Sequence, residues 1–251
     1  TGTILKAANA VITHNQSRLG KDLWTDGDDG EPISLYSAFN ELDEARFIVS
    51  RIREWRRQGG KLVEAAVLYR NNAQSRVLEE ALIQDGINYR IYGGLRFYER
   101  QEIKDALAYM RLINNRQDDA ALERIINTPT RGIGDSSLDK VREHAKAEQQ
   151  TLWASLQTML HLNQFTGRAA NAIKAFMDLI NRLDDEIRDL SLDEQADHVI
   201  HQSGLHAMYS AEKGEKAQTR IENLNELVNA CANQNYVNSE EMTALTAFLS
   251  Q

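Results

Sequence analysis

The sequence predicts an incomplete α/β domain, built on a parallel sheet, followed by an all-helical domain. Two observations carry this expectation. Over roughly the first ninety residues, β-rich runs alternate with amphipathic helical segments, the pattern of helices packed on a parallel sheet. After Gly93-Gly94 the periodicity becomes helical almost without interruption, so that pair is read as the domain boundary, separating 1–92 from 93–251.

The elements follow in order. Ile33 to Ser37 reads as a short strand, and 41–55 carries Leu42, Ala45, Phe47, Ile48 and Ile52 at helical spacing until Gly59-Gly60 stops it. The run Ala65-Ala66-Val67-Leu68-Tyr69 reads as a buried strand. A helix over 73–84 follows, ending at Gly86, and 87–92 is a further β-rich run. Beyond the boundary, helices are expected at 99–115, 119–127, 136–148, 152–161, 166–190, 192–203, 205–212, 217–234 and 239–250. Their starts are chemically marked. Ser136-x-x-Asp139 places an acid near one N-terminus, Ser191-x-x-Glu194 is a capping box, and Gly204 and Gly214 suit helix stops.

The 251 residues are 42% hydrophobic and 26% charged, enough to bury a core and ordinary for a water-soluble fold. One cysteine, Cys231, leaves no disulfide framework, and no apolar run reaches membrane length, so a reducing cytoplasmic setting is expected. The absence of an initiating methionine and the apolar run Leu245, Phe248, Leu249 at the other end read as cuts within a longer protein. A net charge of -8 argues against a nucleic-acid partner until it is resolved along the chain. Basic and acidic residues number 11 and 13 over 1–89, 11 and 9 over 90–146, and 7 and 15 over 147–251. Only the middle third is net positive.

No G-x-x-x-x-G-K-[ST] phosphate loop is present: Gly20-Lys21 is followed by Asp22 and preceded at the required position by Asn15. His198, His201 and His206 cluster without a matching cysteine or H-E-x-x-H arrangement, which favours solvated histidines over a metal site. Asp184-Asp185-Glu186 likewise reads as a solvated helix face, so no catalytic and no metal residue is assigned.

Three segments carry more information. A hydrophobic strand ending in Arg70-Asn71-Asn72 before a helix would set charged and amide groups at the carboxyl edge of a sheet, where ligands bind in open α/β folds. Arg70 is suited to a phosphate and Asn72 to a backbone or base edge; the plainer reading has Asn72 capping the helix and Arg70 pairing with a local acid. In Tyr92 to Asp105, Arg96 and Arg100 interleave with aromatics, as in surfaces that grip phosphates and stack on bases. The alternative there is a junction in which Phe97 and Tyr98 pack while Glu99 and Asp105 neutralise the arginines. Thr130-Arg131-Gly132-Ile133-Gly134, between two expected helices, allows a tight hairpin whose amides approach a phosphate unobstructed, as in helix-hairpin-helix elements, or an ordinary interhelical turn.

Taken in order and spacing, V-L-Y-R-N-N-A-Q-S-R-V-L-E-E-A-L (67–82), Y-R-I-Y-G-G-L-R-F-Y-E-R-Q-E-I-K-D-A-L (89–107), T-P-T-R-G-I-G (128–134) and G-E-K-A-Q-T-R-I-E-N-L (214–224) closely resemble the UvrD/PcrA/Rep helicases of superfamily 1. The resemblance implies that 1–92 is part of a RecA-like second motor domain, 2A. It makes 93–251 most of the helical accessory domain, 2B, with a helix-hairpin-helix-like element and a truncated C-terminal end. It implies a parent that is an ATP-dependent 3′ to 5′ DNA helicase of repair and replication, using ATP and Mg2+, while the chain itself holds neither cofactor. Arg70 and Asn72 match positions that touch the single strand, Lys104 and Arg111 lie in the motif at the entrance to the accessory domain, and Gly132, Ile133 and Gly134 match the motif that holds duplex. The implied partners are single-stranded and duplex DNA junctions, with no membrane. The competing expectation is a protein-interaction scaffold whose acidic last third docks repair proteins; a free-standing enzyme finds no constellation to support it.

Overall fold

The computed structural model describes residues 1–14, 22–92, 94–232 and 243–250. Among these, regular structure is helical throughout, and the expected parallel sheet is absent. The runs at 33–37, 65–69 and 87–92 form no ladder. Ala65 is extended, with φ -99° and ψ 129°, but an extended segment becomes a strand only when a neighbour pairs with its N–H and C=O groups. No neighbour does so among the described residues, and Leu35 and Leu68, which the pattern assigned to a packed sheet, are 93% exposed. The sheet inferred from the periodicity is a correction. Gly93 of the sequence boundary, Gly20-Lys21 and the expected helical residues 233–234 and 239–242 lie outside the described residues.

The chain divides into two compact units, 1–59 and 60–251. In the first, α1 (Gly2–Ile12), which the sequence reading did not assign, is held by backbone bonds from Gly2 to Asp28 and from Thr3 to Asp29, both 3.1 Å. Asn9 exchanges two hydrogen bonds with the Leu23 backbone, at 2.8 and 2.9 Å. Helix α2 (Glu41–Arg57) starts where the Asn40 side chain accepts from the Asp43 N–H at 2.9 Å. Acids fill its first turn and Arg56 and Arg57 its last, each opposing the helix dipole. Tyr36 stacks on Phe47 at 3.8 Å and donates to Asp43, fixing the entry to α2.

The second unit holds α3 (Ser75–Gln84), α4 (Gln101–Asn114), α5 (Asp119–Ile125), α6 (Asp135–Glu148), α7 (Leu152–His161), α8 (Gly167–Ile187), α9 (Leu192–Gln202), α10 (Leu205–Ser210), α11 (Glu215–Ala232) and α12 (Ala244–Leu249). Helix α3 follows the one expected over 73–84, and α4 to α12 follow the helices expected beyond Gly93-Gly94, with ends differing by a few residues. Short 3-10 turns at Asn72–Gln74 and Phe97–Glu99 precede α3 and α4. Helix α4 is the axis of the unit, packed against α5, α8, α9, α11 and α12. Ile103, Ala106, Tyr109, Met110, Leu112 and Ile113 are buried, as an apolar helix enclosed by neighbours requires. Its open stripe is Gln101, Lys104, Leu107, Arg111 and Asn114, recurring at three- and four-residue intervals. Ser191 opens α9 as expected: the Glu194 carboxylate accepts from its backbone N–H at 2.9 Å and its hydroxyl at 2.8 Å. That pairing, the backbone bond foremost, holds the Glu194 carboxyl below its ordinary range.

Candidate nucleic-acid interface

The hairpin between α5 and α6 is built from its ends inward. Ile133 is buried in the core shared by the flanking helices and pins the turn. Gly132 has φ +77°, a left-handed conformation that glycine adopts without strain. Gly134 is the N-cap of α6 at φ -80° and ψ 161°, a conformation open to any residue, and a side chain there would meet no other atom within 4 Å. Glycine at 134 is therefore required by neither backbone nor packing; what it provides is an uncovered helix start. The N–H groups of residues 132 to 136 donate to no acceptor among the described residues, leaving five consecutive amides around that start.

Arg131 faces the other way. Its Nη1 donates to the carbonyls of Ile125 at 3.0 Å and Pro129 at 3.1 Å, and its Nη2 to the Ser203 carbonyl at 3.2 Å and to the Tyr109 hydroxyl. The guanidinium also lies over the Phe176 ring, 5.3 Å from its centroid. It braces the hairpin from behind, while Thr130 stands exposed at its front.

Arg70 and Asn72 are exposed in the loop before α3. Asn72 does not cap α3, whose N-cap is Gln74 and carries no side-chain cap bond; the Gln74 side-chain oxygen instead reaches back to the loop, accepting from the N–H of Arg70 at 3.0 Å and of Asn71 at 2.9 Å. The side chains of Arg70 and Asn72 make no hydrogen bond or ion pair to a described residue and are open to a ligand. Arg96 is exposed over the Tyr89 ring, 5.4 Å from its centroid. Lys104 and Arg111 stand on the open stripe of α4 and line a groove of about 770 Å3 with Leu107, Arg124, Phe248 and Leu249. Arg124 is held by Asp105 at 2.7 Å, whereas Lys104 and Arg111 have no ion-pair partner among the described residues. The candidate residues thus fall at four places within the second unit: the loop of Arg70 and Asn72, Arg96, the α4 stripe and the hairpin.

In the stretch 92–105 the structure separates two kinds of arginine that composition does not. Arg96 is outside; Arg100 is buried, as is Phe97 beside it. Of the junction reading, Phe97 is packed inside, but Tyr98 is exposed and neither expected acid meets Arg100, which donates to the Asn72 carbonyl, Ser75 and Asn223; Asp105 accepts from Tyr209 at 2.6 Å and pairs with Arg124, and Glu79 accepts from the Phe97 N–H at 3.2 Å. Sequence reasoning missed Arg76, Glu79, Asn223 and Glu226, all buried and polar; the only signal was that Arg76, Glu79 and Asn223 fall in the motif strings at 67–82 and 214–224, with Glu226 just beyond the second. His198 bonds Glu186 at 2.8 Å and His201 stacks on His206 at 4.3 Å. No group of three His, Cys, Asp or Glu side chains among the described residues is placed to hold a metal ion. The sequence holds no G-x-x-x-x-G-K-[ST] phosphate loop. No described helix is long and apolar enough to cross a membrane.

The family model of the UvrD-like helicase C-terminal domain matches residues 1–251. The chain is 61% identical to DNA helicase II of Escherichia coli (strain K12) over 251 residues, covering 100% of this chain and 35% of that protein. It is 57% identical over 253 residues to DNA helicase II of Haemophilus influenzae, covering 100% of this chain and 34% of that protein. It is 39% identical over 251 residues to the ATP-dependent DNA helicase PcrA of Bacillus subtilis, again 100% of this chain and 34% of that protein. The chain spans about a third of the length of these relatives.

Proposed function

This chain belongs to the family of UvrD-like helicase C-terminal domains, and from that premise we propose that it is the DNA-gripping part of an ATP-dependent 3′ to 5′ DNA helicase of the cytoplasm. Residues 1–92 act with the second motor domain and 93–251 as its accessory domain. ATP and Mg2+ are bound elsewhere in the parent, and this chain contributes contacts to DNA. The loop of Arg70 and Asn72 touches the single strand. Arg96, Lys104 and Arg111 guide the strand near the junction, and the hairpin Thr130 to Gly134 holds the duplex backbone.

The observation that carries this is the run of five unpartnered amides at the start of α6, beside a glycine that neither strain nor crowding demands. Such amides, with the partial positive charge of the helix start, suit a phosphate and are indifferent to base sequence. Arg131 serves here by shaping the hairpin. Asp135, at the first position of α6, opposes an anion and limits the affinity of this contact alone. A net acidic chain therefore binds DNA through local features instead of through a basic face.

The experiment is a salt titration of single-strand binding by the chain and its Arg70→Ala variant. Loss of one phosphate contact lowers the slope of log K against log salt by about 0.7. An unchanged slope assigns Arg70 to structure. The acidic stretch 147–251 favours a second role, docking of repair proteins, which is distinguished by binding that persists without DNA.

A further inference from the structure

Helix α11 carries the motif 214–224, to which the DNA contacts give no role, and it sends two buried polar side chains, Asn223 and Glu226, toward α3 and the start of α4. The buried guanidinium of Arg100 stands between. Its Nη1 donates to Asn223 Oδ1 at 2.8 Å and to the Asn72 carbonyl at 3.0 Å, and its Nη2 to Ser75 Oγ at 2.7 Å. Asn223 Nδ2 donates in turn to Glu102 Oε1 at 2.6 Å. One helical turn on, Glu226 accepts from Arg76 Nε at 2.6 Å, while Arg76 Nη1 donates to Glu80 at 2.9 Å. Burial opposes the charge of Arg76, but Glu80 and Glu226 outweigh it and hold the group above its ordinary range. At Arg100 burial prevails over Glu79 and Glu102 and draws the group down, so each acceptor it keeps matters.

A planar guanidinium with fixed donor directions couples its partners geometrically: the Asn72 carbonyl and the Asn223 side chain share one nitrogen. We propose that Asn223 is a positioning residue through which α11, tied to α3 by the Glu226–Arg76 pair, sets the loop carrying Arg70 and Asn72, and thereby the grip on the single strand. This rests on the assignment of that loop to the single strand. The accessory helix then reports its own placement to the strand contact without touching DNA.

The test uses Asn223→Leu, which keeps size and removes both polar atoms, and the pair Asn223→Asp with Glu102→Gln, which reverses the hydrogen bond between them and restores the acceptor for Arg100. Asn223→Ser, too short to bridge, takes the place of leucine if leucine prevents folding. Two readouts are taken: hydrogen exchange at the amides of Arg70 and Asn71, and binding of single strand and blunt duplex. In the leucine variant, exchange quickens and the single-strand Kd rises, each by about tenfold, the scale of one lost hydrogen bond to a charged group. Duplex binding stays within about twofold, and the paired variant returns both readouts toward the parent. A folded leucine or serine variant with unchanged exchange at 70–71 overturns the proposal, as does a paired variant that fails to restore it. If Arg70→Ala leaves single-strand binding untouched, the strand assignment fails separately, and exchange alone decides whether α11 positions the loop.

Discussion

Gly132 and Gly134 sit two residues apart in one hairpin, yet glycine serves a different purpose at each. At φ +77° an alanine at 132 is strained by about 1–2 kcal/mol, whereas at 134 the loss of a good N-cap and the reduced entropy of the unfolded chain offset each other to within about 0.5 kcal/mol. Urea unfolding of Gly132→Ala and Gly134→Ala should show that difference; equal costs would mean that backbone conformation is not what glycine supplies at 132. Buried groups give a second expectation. The Cys231 thiol is pushed up to about 12 by burial and by the nearby Asp193 against the pull of Arg76, and burial pushes the Tyr109 hydroxyl up to about 12 despite Arg131. Both folded values lie above the unfolded ones, so the stability these groups contribute is intact below about pH 9 and is lost as pH rises from there toward 12. Iodoacetamide at pH 8.5 should leave Cys231 unmodified until urea unfolds the chain, and equal labelling in both states would contradict its burial. At this scale the sequence was informative about exposed groups and silent about buried ones. Arg70, Arg96 and Arg100 are the same letter, and only the positions of Ser75, Asn223 and the Asn72 carbonyl make Arg100 a structural residue.

The hairpin between α5 and α6 depends on Ile133 as its anchor in the core. Ile133→Ala removes a buried side chain and should cost about 2–5 kcal/mol, read by the shift of the urea midpoint. A cost under about 0.5 kcal/mol would show a hairpin held by Arg131 alone. Helices were legible because their signal is local: the spacing of Ile103, Ala106, Met110 and Ile113 marks the buried side of α4, and Ser191 with Glu194 marks the start of α9. The start of α6 differed by one residue because Gly134, not a serine, is its cap. The sheet was not legible in the same sense. Runs such as 65–69 have the composition of a strand, but pairing depends on a partner that no local pattern supplies, and the described residues hold none. Helix α1 was not assigned, although its amphipathic pattern matches that of α2.

At the scale of the whole chain, the family is written in four motifs between residues 67 and 224, while the physical basis of each contact emerges only when the motifs fold together. The charge profile pointed to 90–146, and the hairpin, the α4 stripe and Arg96 do fall there; Arg70 and Asn72 do not, because an exposed pair of side chains leaves no trace in a regional count. The account makes DNA binding separable into a single-strand contact on one loop and a duplex contact on the hairpin. Fluorescence anisotropy of the chain and its Gly134→Val variant, each first shown folded by circular dichroism, tests that separation with labelled blunt duplex and labelled single strand. The valine covers the open amides without adding a donor, so the duplex Kd should rise by about tenfold while the single-strand Kd stays within about twofold. A folded variant that binds duplex as tightly as the parent chain would contradict the account and leave the hairpin an interhelical turn.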